Sequence, residues 1–182
     1  MKSIEIIAQV IGVIAMVLLV VSYQFKGKKS VIALQFLGSF LFSVNYLMLG
    51  AYVGCLLNFL GAVRAVVYYY KERFNADKLS WFIGFVATYV LSYILNFTVF
   101  GKEPTALNLI VEILPVVGMT ALNVGYRLKN AASIRKCGLI SAPSWFIYNL
   151  FSSGSIGALI CDVCTLVSII VGIFRMDRKQ IK

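Results

Sequence analysis

Three ionisable side chains lie within long apolar stretches of this sequence: Arg64, Glu112 and Asp162. Charged groups are costly in hydrocarbon, so those retained there usually serve a function. A carboxylate in such a place can bind and release a proton, or match the charge of a cationic substrate. We therefore predict proton or charge coupling through Glu112 and Asp162, and a cytoplasmic gate that includes Arg64.

The depth of these groups in their predicted helices suggests a shared site. At 1.5 Å of rise per residue, Glu112 and Asp162 each lie roughly 10 Å from the outer end of a helix. Counting from the same side places Asn58 and Trp145 at a similar level. Four such groups from four helices predict one cavity near the middle of the bilayer.

The side chains predicted there suit a small polar ligand. Amides of Asn58 and Asn149 offer hydrogen-bond donors and acceptors, and the rings of Trp145 and Phe42 can stack on a flat ligand face. Together with Asp162, these residues form the predicted substrate-binding set.

Structural interpretations remain open for the same residues. Arg64 can extend to the headgroups along its aliphatic stem, or form a structural ion pair with Glu112 or, less readily because of its different depth, with Asp162. Asn58 and Asn149 can serve as hydrogen-bonding contacts between helices. Trp145 can face lipid or fill the core.

The sequence shows no clear motif for cysteine redox chemistry, metal binding or enzymatic catalysis. Cys161 and Cys164 form a CxxC pattern, but inside an apolar helix of a protein without histidine. Small residues for helix packing explain them better than redox or metal chemistry. The sequence has no obvious Ser/Lys pair or metal-ligand cluster, so we predict no cofactor, no metal site and no enzymatic activity.

The composition indicates a membrane protein. The 182 residues are 60% hydrophobic and 13% charged, with a mean hydropathy of +0.89. Soluble domains are about 45–50% apolar and about 25% charged. A net charge of +10 is spread over short loops, whereas nucleic-acid binding requires a basic face on a folded domain. We therefore expect membrane lipids as partners and no nucleic acid, and leave a homo-oligomer open.

Seven apolar segments are long enough to span a bilayer of roughly 30 Å. The predicted helices cover residues 4–23, 31–49, 51–70, 79–100, 105–126, 134–151 and 155–174. The pattern before Tyr23 returns before Tyr126, so the first three helices resemble the last three. The fourth helix carries the chain back across the membrane, which gives the two units the same orientation.

This interpretation predicts an all-α fold in a 3+1+3 parallel repeat. Its parts are a first three-helix bundle (1–74), a linker helix (75–102), and a second bundle with a basic tail (103–182). Fourteen of the 17 lysines and arginines fall on one side of the predicted spans. Because basic loops stay in the cytoplasm, we expect a cytoplasmic C-terminus and an outer N-terminus.

Three sequence blocks resemble the YgjV-type bacterial inner-membrane proteins. They are Leu-Asn-Phe-Leu-Gly-Ala-Val-Arg (57–64), Glu-Ile-Leu-Pro-Val-Val-Gly (112–118) and Trp-Phe-Ile-Tyr-Asn-Leu-Phe-Ser-Ser-Gly-Ser-Ile-Gly (145–157). The resemblance implies a multi-pass protein of the bacterial inner membrane. The 3+1+3 plan is more distantly similar to the SWEET and PQ-loop transporters.

That distant similarity has implications for the site. It implies an asparagine in the third helix of each unit, matched by Asn58 and nearly matched by Asp162. It also implies an aromatic partner from each second helix, for which Phe42 and Trp145 or Phe146 are candidates. The Pro-Gln motif is replaced by Tyr23-Gln24 and by Tyr126-Arg127.

The sequence thus predicts alternating-access transport of a small polar solute, with proton coupling as one option. An integral membrane scaffold or sensor that transports nothing is the alternative.

Overall fold

The computed structural model describes residues 3–153 and 156–177, and within these ranges the chain is helical without any strand. The α-helices are α1 (Ser3–Ser22), α2 (Lys28–Met48), α3 (Tyr52–Tyr69), α4 (Leu79–Thr98), α5 (Ala106–Arg127), α6 (Ala131–Tyr148) and α7 (Ile156–Gly172). Two π-helical segments, Asn149–Ser153 and Ile173–Asp177, continue α6 and α7. The predicted all-α class is confirmed.

Six helical segments of the described chain are long and apolar enough to cross a membrane: α1 to α5, and Gly157–Asp177. The helix outside this set is α6, which carries Arg135, Lys136 and three serines. It packs between α5 and α7, and Arg135, Ser141 and Ser144 are buried. Protein neighbours thus surround these three polar residues, whereas Lys136 is exposed.

Short turns connect the helices at the predicted ends. Gly50 and Gly101 adopt positive φ values of 73° and 72°, a conformation that glycine reaches without steric cost. Thr105 accepts a hydrogen bond from the amide of Asn108, and Asn130 accepts one from that of Ser133. These side chains cap the first turns of α5 and α6.

The helices form two neighbourhoods that meet along their edges. In the first, α2 packs against α1 and α3; in the second, α6 packs against α5 and α7. Between the neighbourhoods, α1 contacts α7 and α3 contacts α5, while α4 lies against α3 and α5. The two neighbourhoods enclose the centre of the bundle, and α4 buries Phe85 and Tyr89 in the same core.

The distribution of polarity is opposite to that of a soluble protein. Large apolar side chains such as Val10 and Val167 are about half exposed, while amides such as Gln35 and Asn123 are buried. An apolar exterior is at low free energy against lipid, and polar groups inside a bilayer face other protein groups or a cavity.

Candidate functional site

A cavity lies at the centre of the bundle. Its volume is about 80 Å³, and every α-helix except α4 contributes to its lining. Six residues predicted from sequence line it: Phe42, Asn58, Arg64, Trp145, Asn149 and Asp162. The cavity is smaller than the roughly 300–1,000 Å³ of typical ligand pockets.

A chain of hydrogen bonds crosses the end of the cavity nearest the α2–α3 turn, here called the outer end. The Tyr46 hydroxyl donates to Oδ1 of Asn149 over 2.7 Å, and the Asn149 amide donates to Oδ2 of Asp162 over 2.7 Å. Ser153 also donates to Oδ1 of Asn149. The Asn149 amide is thereby oriented, with its nitrogen towards the carboxylate.

Aromatic rings form a wall beside this chain. The Tyr46 and Trp145 rings stack with centroids 6.4 Å apart, and the Phe42 ring lies 6.0 Å from that of Tyr46. Both Phe42 and Trp145 line the cavity with Asp162. The arrangement offers a carboxylate next to π faces, which suits a cationic or flat group.

Asn58 lies in the cavity wall, and its side-chain amide bonds within its own helix. Its amide donates to the carbonyl of Gly54, one turn earlier in α3, over 2.9 Å. This bond within one helix does not link helices. The prediction that Asn58 joins two helices through a hydrogen bond thus finds no support in the described residues.

Arg64 is buried in the middle of the bundle, with 2% of its surface exposed. Nη1 donates to the Met119 carbonyl over 2.9 Å and to the Tyr89 hydroxyl over 3.3 Å. Its guanidinium carbon lies 4.6 Å from the centre of the Tyr126 ring. Arg64 thus does not reach the headgroups, and it does not pair with Glu112.

A second polar chain extends from this region. Tyr126 donates to Oε1 of Gln35 in a short hydrogen bond, and Gln35 donates to the Ser22 hydroxyl over 3.2 Å. The cavity wall also includes Tyr23, Gln35 and Tyr126. None of these residues was predicted from the sequence to lie at the site. The available signals were the correspondence of Tyr23 with Tyr126 in the repeat and the amide of Gln35 within an apolar helix.

Glu112 does not line the central cavity. It faces a separate cleft at the outer end, with Lys102, Tyr148 and Ser152. The Ser152 hydroxyl donates to Oε1 of Glu112, and Nζ of Lys102 lies 3.4 Å from the same oxygen. The expectation that Glu112 shares one cavity with Asp162 is therefore wrong, since Glu112 lines the outer cleft with Ser152 and Asp162 lines the central cavity.

Basic side chains close the opposite, inner end of the bundle. Nζ of Lys28 donates to the carbonyls of Tyr126 and Leu128, at the C-terminus of α5. Nη1 of Arg135 donates to the Phe25 carbonyl over 3.0 Å, just beyond α1. Each of these helix ends therefore receives a cation from the other helix neighbourhood, as the helix dipole favours.

Arg135 also forms a buried ion pair with Asp177. The atoms Nη2 and Oδ1 are 2.5 Å apart, and the two side chains are 3% and 8% exposed. A second bond joins Nε to Oδ2 over 2.9 Å. This two-pronged geometry fixes α6 against the end of α7.

An exposed pair lies in the loop after α3. Nζ of Lys71 is 2.6 Å from Oδ1 of Asp77 and also donates to the Arg127 carbonyl. The hydrogen bond from Lys71 holds the pKa of Asp77 below its ordinary value.

The thiols of the described residues are free. Cys161 lines the cavity, whereas Cys164 does not. No group of three or more potential metal ligands occurs in residues 3–153 and 156–177.

No curated protein and no solved structure matches this chain. Residues 6–180 match the family Imp-YgjV, described as a bacterial inner membrane protein. This match covers nearly the whole chain and agrees with the helical spans and the apolar exterior. The chain therefore belongs to the Imp-YgjV family of bacterial inner membrane proteins.

Proposed function

We propose that this protein is an alternating-access transporter of a small polar solute. The observation that carries the proposal is the central cavity, which joins polar and aromatic side chains from five α-helices and from Tyr23, just beyond α1, inside an apolar exterior. Polar groups are costly within a membrane unless they line a solute pathway or satisfy one another.

The helix contacts support a 3+1+3 repeat with bundles 1–74 and 103–182 joined by a linker helix in 75–102. In such a repeat α1, α2 and α3 correspond to α5, α6 and α7. The contact of α1 with α7 then corresponds to that of α5 with α3, and both contacts exist. Tyr46 and Asn149, which share a hydrogen bond, are separated by 103 positions, the repeat shift found in the sequence.

In this proposal the two bundles rock about the cavity. The substrate contacts are Phe42, Asn58, Trp145, Asn149 and Asp162. Asp162 couples a proton or charge from within the cavity, and Glu112 does so from the outer cleft. Arg64 forms part of a gate between the cavity and the cytoplasm, with a cytoplasmic C-terminus and an outer N-terminus.

The contacts at both ends describe a closed state of such a cycle. Tyr46 and Asn149 join the bundles at the outer end, and Lys28 and Arg135 join them at the inner end. A volume of about 80 Å³ also suits a contracted cavity. Opening requires only one set of these contacts to separate at a time.

A membrane scaffold or sensor is the second candidate. It is favoured by the partners of the two carboxylates, since Asp162 accepts from Asn149 and Glu112 contacts Ser152 and Lys102. Under this alternative the polar groups satisfy each other and the centre never opens.

Ligand binding followed by exchange separates the two candidates. Purified protein is screened by thermal shift against sugars, nucleosides, amino acids and vitamins, and each hit is tested for counterflow in proteoliposomes. Transport predicts a hit that is weakened by Asp162→Asn and by Asn58→Ala. The matched control is Asn123→Ala, a buried asparagine on α5 that lies outside both the central cavity and the outer cleft. Stabilisation that is unchanged in both cavity variants, or a hit without counterflow, supports the scaffold.

A further inference from the structure

The central cavity contains one cationic and one anionic side chain. Of the residues that line the cavity, two are of the types Lys, Arg, Asp or Glu: Arg64 on α3 and Asp162 on α7. They come from different helix neighbourhoods. The cavity wall thus carries one basic and one acidic group, which can hold opposite charges.

These two charges do not neutralise each other by contact. The ion pairs of the described residues, within 4 Å, involve neither Arg64 nor Asp162. Arg64 donates to neutral groups on Met119 and Tyr89 and lies over the Tyr126 ring, and its buried Nε has no hydrogen-bond partner in the described residues. Asp162 accepts a hydrogen bond from the neutral amide of Asn149.

An unpaired charge in a low-dielectric interior is costly unless a ligand or partner compensates it. A guanidinium presents a planar fork of donors that matches a carboxylate. At the outer end, Asp162 is accompanied by the aromatic rings of Tyr46 and Trp145, and aromatic faces attract an ammonium group. The wall is therefore complementary to a solute with both charges.

The volume limits the size of that solute. A cavity of about 80 Å³ is several times larger than the roughly 10–15 Å³ that admits one water. It therefore admits only a small solute, in the size class of a small α-amino acid.

We propose that the transported solute is a small zwitterion of the α-amino acid class, an inference that rests on the proposed function. Its carboxylate binds Arg64, and its ammonium binds Asp162 beside the aromatic wall. A monoanion would leave Asp162 uncompensated, a cation would leave Arg64 uncompensated, and a neutral sugar would leave both.

Four probes with the same carbon skeleton test this inference: alanine (zwitterion), lactate (anion), alaninamide (cation) and lactamide (neutral). Their binding to purified protein in lipid nanodiscs is measured by isothermal titration calorimetry, without transport. We expect alanine to bind most tightly. Because hydrogen bonds to charged groups contribute strongly, Arg64→Gln and Asp162→Asn should each weaken alanine binding by roughly tenfold to a hundredfold.

The variants also separate the two ends of the ligand. Arg64→Gln should weaken lactate binding but not alaninamide binding, and Asp162→Asn should do the reverse. The exposed residues Arg73 and Glu72 provide charge-matched controls, and Arg73→Gln and Glu72→Gln should leave alanine binding unchanged. Arg64→Lys and Asp162→Glu retain the charges, and both should bind alanine more tightly than the neutral variants.

The inference is overturned if lactate, alaninamide or lactamide binds as tightly as alanine, or if none of the four binds wild-type protein. It is also overturned if alanine affinity survives in either neutral variant. Counterflow separates this result from transport itself. Alanine that binds but never exchanges contradicts transport alone, whereas exchange of a solute without both charges contradicts the zwitterion alone.

Discussion

Asn149 connects three helical segments through one amide group. Its Oδ1 accepts from Tyr46 on α2, and its Nδ2 donates to Asp162 on α7. In a low-dielectric interior an unmade hydrogen bond costs more than in water, because no solvent replaces the lost partner. The outer end of the cavity therefore depends on a few individual polar atoms.

Tyr46→Phe tests this dependence. The change removes the hydroxyl that donates to Asn149 but keeps the ring that stacks on Trp145. We expect a lower apparent Tm in detergent, corresponding to about 0.5–1.5 kcal/mol for one net hydrogen bond. Tyr52 is 52% exposed, so Tyr52→Phe should leave Tm unchanged. Equal Tm values for wild type and Tyr46→Phe would contradict the role given to this hydroxyl.

Residue type and depth predicted much of the cavity wall. The sequence predicted that Asn58, Asp162 and Trp145 line one cavity, because polar groups and a large ring recur at a similar depth in separate apolar helices. Glu112 was assigned to the wrong space, since depth counting ignores the π-helical turn that covers it with Ser152. Gln35 and Tyr46 were missed because helix rotation, which sets the direction of a side chain, depends on packing and not on depth.

At the scale of the element, α5 and α6 approach so closely that glycine is required between them. A Cβ added at Gly125 would lie 3.1 Å from the Ile134 Cα and 3.1 Å from the Ser133 carbonyl oxygen. Both atoms belong to the α6 backbone, which cannot rotate away as a side chain can. Small residues permit this kind of close packing between membrane helices.

Gly125→Ala should therefore destabilise the protein. Overpacking typically costs about 1–3 kcal/mol, and we expect the apparent Tm to fall accordingly. Gly84 is the control, because an added Cβ there meets no atom within 4 Å. Gly84→Ala should leave Tm unchanged or raise it through the better helix propensity of alanine. A fall of the same size in both variants would refute the close-packing explanation.

Breaking the ion pair between Arg135 and Asp177 should lower the free energy of unfolding by more than the glycine substitution does. Arg135→Gln leaves a buried carboxylate without its partner, which costs about 3–5 kcal/mol when a buried pair is broken. Thermal denaturation should show a clear loss of stability, while Lys71→Gln, at the exposed pair with Asp77, should change Tm much less. If the two variants behave alike, the buried pair has no special role in closing the inner end.

Helix positions were largely predictable from the sequence. The predicted range 79–100 compares with Leu79–Thr98 for α4, and 105–126 compares with Ala106–Arg127 for α5. Apolar runs that end in glycine, proline or charged clusters set these boundaries. The π-helical segments after α6 and α7 were not predicted, since a change of helical register depends on local contacts.

For the whole molecule, the combination of an apolar exterior and a polar interior is the central feature. Val10 and Val167 are exposed while Arg64, Asn123 and Glu112 are buried. Composition alone predicted the exterior. The pairing of polar residues across the interior required coordinates, because it depends on which helices are neighbours.

Two-sided thiol labelling tests alternating access most directly and needs no known solute. A protein with Cys161 as its single cysteine is compared with one that retains only Cys164, three residues later and outside the cavity lining. Each is treated with a small membrane-impermeant methanethiosulfonate in right-side-out and in inside-out vesicles. Our account predicts that Cys161 reacts from both sides and Cys164 reacts much more slowly from either. A Cys161 that reacts from neither side, or from one side only, would contradict it.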